Sequence, residues 1–251
     1  MNHIDRFHHL IDSTQVWLIG VFIGVAFAAI YLAYAWISLL ATRHVLPGLG
    51  IGALIEKRPL APGQVRLEIV GSLVSIAIFA VYGVISVLAE RRGVITINWH
   101  PAPFTILVNL VLLTLWNEVH FYACHRFLHT RWLYRKVHAV HHRSIVPTPF
   151  STFSFHWFEA TLLSSVMILA LLVWPLDIIT IVIFPGISLI GNSIGHMNYA
   201  VFLDKSESEL LAACQRHTAH HTRWSGNYGF YLPWLDQWLS TRVPGKRSSK
   251  N

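Results

Sequence analysis

The sequence predicts an all-α, polytopic membrane protein, with four to five apolar helices and a cytoplasmic helical cap rich in histidine. Three observations carry this expectation. The 251 residues are 54% hydrophobic and 12% charged, about half the charge of a soluble domain. Uncharged runs long enough to cross a bilayer recur along the chain. Eleven of the 16 histidines fall between His120 and His221, a clustering that a membrane core gives no general reason for. High hydrophobicity excludes disorder, and two cysteines exclude a disulfide scaffold.

The elements follow in chain order. Residues 16–42 hold no charge over 27 positions, enough for a tilted span. Residues 69–89 form a second uncharged run of 21. A third begins near Pro103 and continues past Asn117 into Glu118 and His120. Runs at 160–176 and 178–195 are separated by Trp174-Pro175-Leu176-Asp177 and read as a tight helical hairpin. Both are short, and Pro185-Gly186 is expected to kink the second. The apparatus divides as residues 1–102, an N-terminal transmembrane region of two spans; residues 103–241, a catalytic domain; and residues 242–251, a polar tail. The stretch from Pro244 onward is expected to fray.

Lys and Arg counts set the orientation. With the histidine-rich part cytoplasmic, that side carries 16 basic residues against three (Arg6, Arg91, Arg92) on the other. The net charge of +7 therefore points to an anionic leaflet rather than to nucleic acid. No signal peptide is visible, because the apolar run after residue 15 is too long for an h-region. The short ends and the lack of a reticulum signal favour a bacterial inner membrane.

The histidines repeat at fixed spacings. His125 and His129 are i,i+4; His138, His141 and His142 are i,i+3,i+4; His217, His220 and His221 repeat the triplet. On a helix these spacings put imidazoles on one face, about 5–6 Å apart at Cβ. Neither Pro nor Gly interrupts residues 119–142, so helix is expected throughout. Ser206-Glu207-Ser208-Glu209 fits a capping box opening the helix of the last triplet. His196 closes the last apolar run, with Asn192 one turn before it, and His156 lies between the blocks. His3, His8, His9, His44 and His100 read as ordinary surface histidines, and Cys124 and Cys214 as packing thiols. Burying so many imidazoles without a purpose costs desolvation for each. The expected ligands are His125, His129, His138, His141, His142, His156, His196, His217, His220 and His221, enough for two ions with four or five each. Nitrogen-rich coordination suits iron, zinc or copper. Glu118 and Asp236 read either as surface or helix-end charges or as carboxylates that accept N–H from ligand imidazoles and fix their tautomers, with Asn192 as a further outer residue.

The order His125-Arg-Phe-Leu-His129, then His138-Ala-Val-His-His142, then His217-Thr-Ala-His-His221 and Asn227-Tyr228-Gly229 resembles the fatty acid hydroxylase and sterol desaturase superfamily over roughly residues 104–241. The resemblance implies a membrane di-iron oxygenase that hydroxylates or desaturates a lipid with dioxygen and reductase-supplied electrons. It places the family's boxes on the three histidine blocks and its hairpin histidine on His196. Three departures stand out. Trp157 replaces the proline of a family H-P-x-E segment that runs to Glu159; Glu118 stands where Asp is usual; Ser240-Thr241 replaces a Gly-Thr. The implied cofactor is a pair of iron ions, with zinc as a misloading metal.

No CxxC, Rossmann fingerprint or haem module is encoded. A separate ferredoxin, cytochrome or flavoprotein reductase is therefore the expected electron donor, attracted by Arg126, Arg131, Arg135, Lys136 and Arg143. The other partner is a lipid entering from the bilayer. Two other classes compete: a membrane zinc hydrolase, disfavoured by the lack of HExxH and GxSxG, and a non-catalytic metal-binding or transport protein, which would place ligands at the midplane on broken helices. Hydroxylation is favoured over desaturation as the default fate of a substrate radical.

Overall fold

Long apolar stretches bounded by polar or turn residues become helices. The computed structural model describes residues 3–202 and 210–243. The expected capping box at 206–209 and the tail from Pro244 lie outside the described residues.

Helix α1 (His3–Ser13) precedes α2 (Val16–Leu40), which runs on through a π turn at Ala41–Val45 into a single turn, α3 (Leu46–Gly48). The next long helix is α4 (Gln64–Arg91), entered through Gly63 in the left-handed region. Pro103 opens α5 (Pro103–Leu128), a position where its fixed φ suits the helix and its missing N–H costs nothing. The hairpin is α7 (Trp157–Val173) and α8 (Ile178–His196), with α6 (Arg131–Lys136) before them. Asp177 caps α8, accepting from Thr180 N and Thr180 Oγ1 at 2.7 Å each and from Asn109 Nδ2 at 2.8 Å. Helix α8 passes through Pro185 without interruption. Helices α9 (Ala213–Arg223) and α10 (Trp234–Trp238) complete the order.

Among the described residues, four helical segments are long and apolar enough to cross a membrane: Val16–Gly48, Gln64–Arg91, Pro103–Leu128 and Ile178–His196, with Trp157–Val173 a shorter apolar helix. The chain is a multi-pass membrane protein of helical class. Its helices approach closely where side chains are small. A Cβ on Gly20 would meet Val84 Cγ2 at 2.8 Å, so α2 and α4 touch there because residue 20 is glycine. The main core joins Tyr31, Ile76, Phe150, Phe153, Phe155 and Leu189 from four segments. Tyr31 Oη and Ser72 Oγ both donate to the Phe150 carbonyl, at 2.7 and 2.9 Å, which fastens the histidine-bearing loops to the first two long helices.

The structure corrects one local expectation. Residues 119–142 are not one helix. Helix α5 ends at Leu128, α6 ends at Lys136, and His138–Arg143 is a 3-10 turn. Val137 breaks the run at φ −122° and ψ −68°. Leu128, Leu133 and Val137 are buried together against Phe158 and Leu162, so packing of this apolar trio folds the chain back where local propensity would continue it.

Candidate metal centre

The i,i+4 pairs and the i+3 members part company. His125, His129, His138, His142 and His220 form one group; His141, His196, His217 and His221 form a second. Each i,i+4 pair stays within one group, while the middle histidine of each triplet crosses to the other. The α-helical period explains this for α9. Successive residues are about 100° apart, so His220 and His221 cannot face the same ion. The 3-10 turn at 138–142 repeats the arrangement in mirror fashion, and the two triplets interleave. The groups abut, with His142 and His221 ring centroids 4.8 Å apart and His217 and His220 5.7 Å apart.

The Nε2 atoms converge. His138 Nε2 lies 3.1 Å from those of His125 and His142, and His129 Nε2 lies 3.2 Å from His220 Nε2. In the second group His196 Nε2 is 3.4 Å from His141 Nε2 and 3.0 Å from His217 Nε2, which is 3.0 Å from His221 Nε2. Two nitrogens about 2.1 Å from one ion and roughly 90–110° apart stand about 3.0–3.4 Å from each other.

Five of the nine rings have an acceptor at Nδ1, while the Nδ1 atoms of His142 and His221 are buried without a hydrogen-bond partner. Those of His125, His196 and His220 meet the carbonyls of Tyr228 (2.9 Å), Asn192 (2.8 Å) and Gly226 (2.6 Å). His141 Nδ1 meets the Ser154 carbonyl at 3.3 Å, and His138 Nδ1 meets Glu159 Oε1 at 2.8 Å. A carbonyl can only accept, so these contacts assign the proton to Nδ1 and leave Nε2 with a bare lone pair. Bare lone pairs then face each other at 3.1 Å (His125 and His138) and at 3.4 Å (His141 and His196). A cation between them turns that repulsion into coordination, and the residues fit a pair of metal ions.

The rings are also held neutral. Burial, reinforced by neighbouring imidazoles, pushes His138, His141, His142, His217 and His221 well below the usual histidine range. Burial lowers His129 to about 2, with His220 adding to the effect, and lowers His220 to about 4. Eight of the nine side chains are buried, and His129 is half-buried.

Other expected residues take different places. His156 belongs to neither group. It caps α7, its Nδ1 accepting from Phe158 N at 3.2 Å, so its ring is spent on a helix end. Trp157 then occupies the first helical position, where the family's proline would also be at home. Glu118 does not touch an imidazole either; its oxygens accept from Tyr231 N (2.9 Å) and Leu232 N (3.2 Å). Asp236 likewise accepts from Tyr228 N and Gly229 N at 2.8 Å, and from Thr241 Oγ1 at 2.7 Å. Both carboxylates shape the 228–232 loop, whose Tyr228 carbonyl orients His125. A Cβ on Gly191 would fall 1.3 Å from the Tyr231 ring, so this loop lies directly on α8. Ser240, in place of the family's glycine, sits at φ +54°. Asn192 donates to the Thr152 carbonyl at 2.9 Å. The residue missed as an imidazole partner is Glu159, whose signal was an acidic side chain in the first turn of an otherwise apolar helix.

A narrow cavity reaches both groups. Its apolar walls are Phe121, Leu128, Phe155 and Leu163, and Asn192 and Glu159 also line it.

Fold and site together define a membrane-embedded helical protein with two abutting histidine groups suited to metal ions. A family model described as fatty acid hydroxylase matches residues 110–241, and the chain belongs to that family. A Delta(7)-sterol 5(6)-desaturase of Gibberella zeae is 27% identical over 220 residues, covering 83% of this chain and 62% of its own length. A Delta(7)-sterol 5(6)-desaturase of Schizosaccharomyces pombe is 23% identical, covering 88% and 69%. Human lathosterol oxidase is 24% identical, covering 74% and 63%. The chain thus spans about three fifths of the length of these relatives. No solved structure gives a match.

Proposed function

We propose that the chain is a membrane di-iron oxygenase that hydroxylates or desaturates a lipid of sterol or fatty acyl type, with dioxygen and electrons from a separate carrier. The observation that carries this reading is the convergence of nine Nε2 atoms in two abutting groups beside an apolar-walled cavity. When bound, a pair of irons supplies the activation of dioxygen and the oxidation of an unactivated C–H bond.

The chain's own residues do the rest. Neutral imidazoles hold the ions without cancelling their charge. The carbonyls of Tyr228, Asn192, Ser154 and Gly226, and the Glu159 carboxylate, keep Nδ1 protonated and Nε2 aimed inward on His125, His196, His141, His220 and His138 respectively. Phe121, Leu128, Phe155 and Leu163 form apolar walls that exclude water beside both groups. Exposed Arg126, Arg131, Arg135, Lys136 and Arg143 lie on or beside the elements that carry the first group, and would steer an acidic electron carrier toward half-buried His129. The Lys and Arg asymmetry supports a cytoplasmic placement of this face.

The test is turnover by purified protein reconstituted in lipid with iron, dioxygen and a reductase. Sterols and acyl lipids are supplied, and products are read by mass spectrometry. Products gaining one oxygen or losing two hydrogens, absent from His220→Ala, are the expected result. Full activity in His141→Ala and His220→Ala would overturn the reading.

A further inference from the structure

A second cleft, of about 450 Å³, opens where α2 ends, and shares no residue with the metal groups. This volume lies within the range of small-molecule sites. One wall is apolar: Trp36, Leu39 and Phe150. The other is basic: Arg43, Lys57 and Arg58. Arg43 rides on the π turn Ala41–Val45 at the end of the first candidate span, so the cleft lies at the level where a bilayer's headgroups begin.

The basic wall is built rather than loose. Strand β1 (Ala53–Leu54) pairs antiparallel with β2 (Tyr199–Ala200). Asn198 then grips Glu56, two residues past β1, accepting from Glu56 N at 2.8 Å and donating to the Glu56 carbonyl at 2.9 Å. The buried Glu56 carboxylate takes Arg58 N (3.1 Å) and Arg58 Nη2 (2.9 Å). That pair is internally compensated. Among the described residues, Arg43 and Lys57 have no carboxylate partner, which leaves two free cations facing the cleft. Below them, α2 presents a bare apolar surface, with Trp36 52%, Ile37 63% and Leu40 52% exposed.

A cationic end above an apolar strip is complementary to one kind of molecule. We propose that this cleft seats an anionic phospholipid, with its phosphate between Arg43 and Lys57 and an acyl chain along Trp36 and Leu40. Basic pockets at the ends of spans draw such headgroups, each cation contributing about fivefold. The opposite wall includes Thr148 and Phe150, and Asn198 stands two residues from His196. A bound lipid therefore braces the loops that carry the metal groups without entering them.

The test counts lipid on detergent-purified protein by native mass spectrometry, titrating dioleoylphosphatidylglycerol, dioleoylphosphatidylcholine and inorganic phosphate. The expected result is a phosphatidylglycerol retained about 30-fold better than phosphatidylcholine, from two cations. R43Q/K57Q should lose that preference and keep its metal content. Equal retention of the two lipids by the unaltered protein overturns the proposal, and that comparison needs no variant. An undiminished preference in R43Q/K57Q overturns it too. Displacement of the lipid by inorganic phosphate at matched concentration overturns it in favour of a free-phosphate site.

Discussion

Glu159→Gln should act in opposite directions on the metal-free and metal-loaded protein, whereas Glu159→Leu also strands the His138 Nδ1–H. Glu159 Oε1 meets His138 Nδ1 at 2.8 Å, and both side chains are at most 2% exposed. Its other oxygen, Oε2, has no hydrogen-bond partner. Without metal, burial beside neutral rings disfavours a charged carboxylate here, and Gln removes that burden while keeping an acceptor for Nδ1–H. Metal-free Glu159→Gln should therefore be at least as stable as the unaltered protein. With metal, the sign reverses. A carboxylate roughly 7 Å from an ion, acting through the imidazole, contributes on the order of 2 kcal/mol per unit of ion charge at an effective dielectric of about 20. Loss of such an outer partner lowers metal affinity about 10–100-fold. Leu adds an unsatisfied buried N–H, costing about 1–3 kcal/mol more. Competition titration with an iron chelator, paired with thermal unfolding of stripped protein, reads both quantities. Unchanged iron affinity in both variants would refute the reasoning that Glu159 tunes the first group.

Adjacent histidines should give different metal losses. His142→Ala leaves four imidazoles in its group and should retain most of its metal, whereas His141→Ala leaves three in the other and should lose about half the bound iron; equal losses by elemental analysis would contradict the two-group division. Ser240→Gly relieves a left-handed backbone at φ +54° and should raise stability by about 1 kcal/mol, read as an upward shift in Tm; a fall would show that the Ser side chain matters more than the strain. Stripped protein should be acid-sensitive. The folded-state pKa of His220 is lowered to about 4 and that of His129 to about 2, so below about pH 6.5 the unfolded chain binds more protons and stability falls with pH. Each such histidine costs about 1.4 kcal/mol per pH unit, and the seven outside the spans together approach the whole stability of a domain between pH 7 and 5. Urea midpoints of stripped protein that stay level over that window would contradict this.

The helices and the combined membership of the two histidine groups were legible in the chain for different reasons. Spans announce themselves because bilayer crossing demands uncharged length, as in residues 16–42. The grouped histidines stand out because burying repeated i,i+4 imidazoles costs desolvation for each. Their allocation was not legible. A helix places i+3 and i+4 on one broad face, but the facing partners decide which ion each residue meets, and those partners are distant: His129 with His220, His141 with His196. Val137 ended the expected helix through packing with Leu128 and Leu133, which no local propensity encodes. Glu118 and Asp236 looked like imidazole partners by type, yet the groups nearest them are backbone N–H of a loop brought over by the fold. His156 was misjudged because a histidine before an apolar run fits both a ligand and a helix cap.

The central claim is that the two histidine groups hold iron. The direct measurement is elemental analysis with Mössbauer spectroscopy on folded, detergent-purified protein. About two irons per chain, exchange-coupled and one for each group, is the predicted result. Folded protein that binds no metal, even after anaerobic iron reconstitution, would contradict it.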